Sequence, residues 1–216
     1  MKDKKPLEYS EYLKLKDLLN IQSLKSTERG KPAHDEMLFI IIHQVYELWF
    51  KQILHELDSI LFVFKKESIF EPEISLSVSR LSRIIEIQKI LIDQIRVLET
   101  MTAMDFLEFR DDLFPSSGFQ SSQFRILENK LGLLKKDRIK YGKGDYKNAI
   151  SDEEKKIVEK SESDKSLFEL LELWLERTPF LTFEGFNFWD QYTSSVRTML
   201  GKEKIVIQNN PNYSSK

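Results

Sequence analysis

The chain has 216 residues, 41% of them hydrophobic and 31% charged, which is enough apolar material for a core and argues against disorder. Lysine plus arginine (33) nearly balance aspartate plus glutamate (35), so the basic excess of a nucleic-acid binder is missing. Zero cysteines exclude disulfides, thiolate metal sites and a cysteine nucleophile, and 7 glycines with 6 prolines are too few for a turn-rich β protein.

No apolar stretch precedes Leu7, so no secretory leader is expected. Tyr9, Tyr12 and Leu13 fall on one helical face, a pattern that amphipathic core packing alone accounts for. From Asp35 to Phe64 there is no glycine or proline, and apolar residues recur at helical spacing. Met37 to Phe50 is apolar almost all the way round, interrupted by His43, Gln44 and Glu47, which predicts a helix buried among other helices. The longest apolar run, Met37 to Ile42, is too short to cross a bilayer, so a soluble, cytoplasmic protein is expected.

Past Phe70-Glu71-Pro72, the segment Glu73 to Leu98 opens with period two at Ile74–Val78. It then turns to helical period at Leu81, Ile84, Ile85, Gln88, Ile92 and Ile95, and the longer pattern favours one helix. Thr102 with Asp105 resembles a capping box opening a short helix through Phe106 and Arg110, which Phe114-Pro115-Ser116-Ser117-Gly118 breaks. A helix over Ser121–Leu134 follows, then a polar connection at Tyr141–Asp145. Ser151 with Glu154 is a second capping box, opening a charged helix. Leu167, Leu170, Leu171 and Trp174 mark an amphipathic helix ending near Thr178-Pro179. Phe183 to Trp189 is aromatic-rich, and a polar tail begins at Asn209. No internal repeat appears, and the fold class expected is all-α, one domain over residues 1–216.

Three histidines make the list of chemical sites short. His34 stands at a helix start, where a cap or surface role suits it, and His55 fits a half-exposed position. His43 lies in the most apolar part of the chain, where it is either a hydrogen-bonded core residue or a functional one. Phe39, one turn earlier, would complete a pocket wall with one proton-carrying group. Phe106 and Arg110 repeat the four-residue spacing. Arg110 could pair on the surface with Asp111 or Glu108, or its guanidinium fork could take a substrate carboxylate in bidentate fashion. No ferritin-like Glu-x-x-His pair, zincin helix, P-loop, dinucleotide fingerprint or Gly-x-Ser-x-Gly occurs.

The stretches His34–Asp58 and Phe109–Gln120 closely resemble the tryptophan 2,3-dioxygenase family, as do Leu98–Thr102, Phe124–Gly132, Trp174–Pro179 and Gly185–Trp189. Together these ordered matches span nearly the whole chain. The resemblance implies a helical bundle with a haem b pocket between helices, one haem per subunit. It implies insertion of both atoms of O2 across the indole C2–C3 bond of L-tryptophan, giving N-formylkynurenine at the head of the kynurenine pathway. By the same resemblance His43 is the distal histidine that hydrogen-bonds the indole N–H. Phe39 and Phe106 pack against the indole and over the haem, and Arg110 clamps the carboxylate, with Tyr12 near it. Ser117 and Gly118 line the distal haem edge. Tyr9, Tyr12 and Leu13 belong to an N-terminal helix that reaches into a neighbouring subunit of a homotetramer.

The family pattern continues through further helices, with a proximal histidine on the iron and a threonine that meets the substrate ammonium. None of the three histidines here matches that ligand. The expectation is therefore a C-terminally truncated, fragmentary chain that is inactive alone. The rival expectation is a haem-free, all-α interaction or regulatory module derived from the enzyme.

Overall fold

The computed structural model describes residues 6–138, 150–177, 182–183 and 186–208, and it falls into two compact units, residues 1–167 and 168–216. The expected connection Tyr141–Asp145, the helix end at Thr178-Pro179 and the tail from Asn209 lie outside the described residues. The first unit holds α1 (Tyr9–Tyr12), α2 (Leu15–Leu18), α3 (Lys25–Glu28), α4 (Glu36–Phe64), α5 (Glu71–Leu98), α6 (Ala103–Leu107), α7 (Ser122–Leu131) and α8 (Asp152–Ser163). Three short 3-10 turns, Arg110–Leu113, Gly118–Gln120 and Lys135–Asp137, complete it. Among the described residues the chain is all-α apart from one two-stranded hairpin, so the helical architecture expected from the sequence is the architecture found.

Two long antiparallel helices, α4 and α5, make the spine of this unit, and their contact is the most extensive among the described residues. Ile53, Leu57, Ile60, Leu61 and Phe64 of α4 are buried, as are Ile84, Ile87 and Leu91 of α5. Polar pins fix their register: the Tyr46 hydroxyl donates to the Leu91 carbonyl at 2.6 Å. Glu56, 5% exposed, accepts from Arg83 at 2.5 Å and Gln52 at 2.8 Å, with Arg80 at 3.8 Å. A carboxylate this deep is tolerated because charged donors compensate its lost hydration.

Local chemistry sets the helix ends. Pro72 sits in the first turn of α5, where its missing N–H costs nothing, and the Glu73 carboxylate accepts from the Phe70 N–H at 3.1 Å. The period-two opening Ile74–Val78 is therefore helix, as the longer pattern predicted. Ser121 caps α7 by accepting from the Phe124 N–H at 3.2 Å, and Gly132 ends it at φ 98°, in the left-handed region. The Ser151 box opens α8 as expected: Ser151 Oγ accepts from the Glu154 N–H at 3.3 Å.

α7 leans on α4, with Gln123 Nε2 donating to the Glu47 carbonyl (3.0 Å) and carboxylate (2.7 Å) and Phe124 5.5 Å from Phe50. α8 braces α7 through Asn129, whose amide donates to Ser161 Oγ at 2.7 Å. In the second unit, α9 (Leu167–Arg177) begins at the unit boundary. The strands β1 (Thr182–Phe183) and β2 (Phe186–Asn187) pair antiparallel and lead into α10 (Phe188–Gln208), where the rings of Phe188, Trp189 and Tyr192 cluster.

One expectation about α4 needs correction. Its apolar first half is not enclosed: Met37, Ile41 and Leu48 are 38%, 43% and 50% exposed, and only Ile42 among Met37–Phe50 is buried. Among the described residues, the partners needed to cover the whole circumference of this half are not there, whereas α5 seals the second half.

Candidate functional site

The two four-residue pairs singled out by sequence spacing come together. On α4, Phe39 and His43 lie one turn apart with ring centroids 4.1 Å apart. Phe106 of α6 approaches Phe39 to 5.7 Å, and Phe109 meets both edge-on, 5.6 Å from Phe39 and 5.4 Å from Phe106. Such tilted and edge-on pairs align ring quadrupoles favourably. Phe109 is 0% exposed and pins the start of the 3-10 turn to α4, while Phe39, His43 and Phe106 stay half-buried.

The helix expected through Phe106 and Arg110 stops sooner, at Leu107, and tightens into the 3-10 turn Arg110–Leu113. Thr102 caps α6 as the box predicts, with Thr102 Oγ1 accepting from the Asp105 N–H at 3.2 Å. The Asp105 carboxyl is held below its ordinary range by its hydrogen bonds from the Thr102 side chain and backbone. Despite the tighter turn, the Arg110 guanidinium still sits over the Phe106 ring, 5.6 Å from its centroid. Among the described residues Arg110 makes no ion pair, so the pairing with Asp111 or Glu108 does not form; Asp112 is engaged instead by Arg29.

His43 is oriented from within its own helix. Its Nδ1 lies 2.7 Å from the Phe39 carbonyl oxygen, which can only accept. In the neutral ring Nδ1 therefore carries the proton, and Nε2 presents a lone pair. Among the described residues Nε2 has no hydrogen-bond partner. Gly118 stands beside it: a Cβ added there would lie 3.9 Å from Nε2. The loop bearing Gly118 is locally satisfied. Ser117 N–H donates to Gln120 Oε1 at 3.1 Å, and the Gln120 amide donates to the Pro115 carbonyl at 3.2 Å.

The remaining residues are not drawn into this cluster. Tyr9 and Tyr12 are 75% and 70% exposed on α1, Leu13 follows them at 40%, and neither tyrosine side chain makes a hydrogen bond or ring contact among the described residues. His34 and His55 are exposed. Sequence reasoning missed Phe109, the buried pin, although the apolar residue beside Arg110 was a usable signal. It also missed the buried Glu36 at the start of α4.

The arrangement offers an aromatic wall, one acceptor nitrogen and a guanidinium that has no counter-ion among the described residues. That set suits a flat, apolar ligand with an N–H and a carboxylate.

The model of the tryptophan 2,3-dioxygenase family matches residues 2–215. Curated proteins named tryptophan 2,3-dioxygenase include one from Bdellovibrio bacteriovorus, 51% identical over 95% of this chain and 57% of its own length. One from Dictyostelium discoideum is 50% identical over 95% of this chain and 52% of its own length. Another, from Rattus norvegicus, is 46% identical over 93% of this chain and 50% of its own length. The chain thus spans about half the length of the curated relatives it matches.

Proposed function

The chain belongs to the tryptophan 2,3-dioxygenase family, and from that premise we propose that it forms the substrate-facing part of a haem-dependent dioxygenase converting L-tryptophan and O2 to N-formylkynurenine. The carrying observation is the cluster itself: His43 Nε2, the Phe39 and Phe106 rings and Arg110, which makes no ion pair among the described residues, converge from two separate segments.

The chain's own residues divide the work. His43 Nε2, the lone-pair nitrogen of the tautomer whose Nδ1–H faces the Phe39 carbonyl, accepts the indole N–H and so turns the ring to one orientation. Phe39 and Phe106 give the indole a dry aromatic wall, which keeps water from competing for that hydrogen bond. Arg110 receives the carboxylate, its fork steadied by the Phe106 face. The reaction then adds both oxygen atoms of O2 to the substrate and breaks the C2–C3 bond, with no other reductant or oxidant required.

The residues present fit the distal side of a haem. The wall is apolar, one imidazole nitrogen has no hydrogen-bond partner among the described residues, and a glycine rather than a larger residue stands beside that nitrogen. Phe39, His43, Phe106, Ser117 and Gly118 would border the group, and bound haem would supply the redox chemistry on dioxygen.

We further read Tyr9, Tyr12 and Leu13 as completing the pocket of a neighbouring subunit in a homotetramer, with Tyr12 toward the carboxylate. Their exposure as an apolar, aromatic stripe supports this. Leu76, Val78, Ile85, Ile92 and Ile95, exposed along α5, support an assembled form in which that face is covered. The two compact units are read as parts of one haem-dioxygenase domain. No helix among the described residues is long and apolar enough to cross a membrane, and a cytoplasmic location is the reading adopted with it.

The test is turnover by the complete, haem-loaded protein with L-tryptophan under isotopically labelled O2. N-formylkynurenine carrying two labelled oxygens is expected; no product, or label that comes from water, would overturn the proposal.

A further inference from the structure

Glu36 is 0% exposed, yet among the described residues no cation pairs with it. Its carboxylate accepts instead from the Lys25 N–H at 2.7 Å, the Ser26 N–H at 3.0 Å and the Ser26 hydroxyl. Ser26 Oγ in turn accepts from the Ala33 N–H at 3.0 Å. Ser26 and Ala33 are themselves 0% and 3% exposed. A fully satisfied buried cluster of this kind fixes geometry, since losing any one donor leaves a costly orphan. It fastens the segment Leu24–Ala33 to the first turn of α4. On α4, Glu36, Phe39 and His43 are spaced by three and four residues, so they share one face.

The segment turns back at Gly30 (φ 76°), and α3 within it packs against the 3-10 turn that carries Arg110. There Arg29 forms an ion pair with Asp112, whose side chain is 13% exposed. Asp112 N–H donates to the Phe109 carbonyl at 3.0 Å, closing the turn. Arg110 therefore stands between two anchors, Phe109 fixed in the aromatic core against Phe39 and Asp112 fixed by the strap. Both anchors lead back to the face of α4 that carries His43.

We propose that residues 24–33 act as a strap that sets the position of Arg110 relative to His43, with Glu36, Arg29 and Asp112 as positioning residues for carboxylate recognition. This rests on the reading of Arg110 as the carboxylate-binding group. The strap touches no substrate. It acts by holding the 3-10 turn in the register at which one ligand reaches Nε2 and the guanidinium together.

The experiment measures equilibrium binding of L-tryptophan and of tryptamine, which lacks the carboxylate, to the complete haem-loaded protein by calorimetry, with kcat and KM recorded alongside. Asp112→Asn is expected to weaken L-tryptophan binding about five- to tenfold, the scale expected of a small misplacement, and to leave tryptamine binding within about twofold. Glu36→Gln, the conservative change at the other anchor, gives the same one-sided loss, and KM rises while kcat holds. The charge-exchanged pair Arg29→Asp with Asp112→Arg restores the preference for L-tryptophan.

Arg110→Ala serves as the reference and abolishes that preference. If Asp112→Asn weakens both ligands equally, or neither, while Arg110→Ala still abolishes the preference, the strap proposal fails alone. If Arg110→Ala leaves the preference intact, the carboxylate reading fails and the strap falls with it.

Discussion

The two halves of α4 have similar apolar content and opposite fates. From Gln52 to Phe64, α5 covers the helix, and Ile53, Leu57 and Ile60 reach 0% exposure. From Met37 to Phe50, the helix stays half-open, with Phe39 and His43 held in an aromatic cluster that no second long helix seals among the described residues. On the proposed function, the two apolar stretches differ in role: the stripe that α5 buries is core, and the half-open one around His43 faces the ligand. Stability should then reside in the second half and recognition in the first.

Paired truncations sharpen that contrast most strongly. Leu57→Ala removes a fully enclosed side chain and should destabilise by about 2–5 kcal/mol in denaturant unfolding of the complete protein. Ile41→Ala, at a position 43% exposed, should cost less than about 1 kcal/mol in the same measurement. Equal losses at the two positions would erase the distinction between the halves.

A smaller effect tests the bracing of α7 by α8 and leaves the site untouched. The Glu154 carboxyl is held below its ordinary value of 4.5, chiefly by the hydrogen bond from the Ser151 side chain, with help from the Ser151 backbone and Ser122. A carboxyl whose folded pKa is depressed contributes stability above its unfolded value, and that contribution is lost as pH falls through the folded one. The melting temperature should therefore fall as pH drops below about 4.5. Glu154→Gln should flatten that slope modestly with L-tryptophan binding at neutral pH unchanged. An identical acid slope in both proteins would remove Glu154 from the account.

Much of this was legible in sequence because it is local. The uninterrupted helical period gave α4 nearly to the residue, from Asp35 as cap to Phe64. Two boxes marked α6 and α8, and the longer period at Leu81–Ile95 outweighed the alternation at Ile74–Val78. Spacing also gave Phe39 with His43 and Phe106 with Arg110 as pairs. What spacing cannot give is that the two pairs meet, because that contact depends on Phe109 sinking between them, some 66 residues from His43 in sequence by the difference of their numbers. The strap was invisible for the same reason. Glu36 is not singled out in sequence, because an acid in the first turn is favourable at any helix N-terminus, and only the fold turns it toward Ser26. Residues Phe188–Gln208 were not read as a helix, since their apolar period is weak and none is buried among the described residues. The hairpin before them is two residues per strand, below what alternation can reveal.

The most direct test of the central claim takes one variant and two readings. His43→Ala in the complete, haem-loaded protein is measured for melting temperature and for N-formylkynurenine formation from L-tryptophan. Removing a half-exposed ring whose hydrogen bond stays within its own helix should cost about 1 kcal/mol or less and so lower the melting temperature by only a few °C. Losing the acceptor for the indole N–H should lower kcat/KM by at least about tenfold. A protein that melts many degrees lower while turning over at the parent rate would make His43 a core residue and contradict the account.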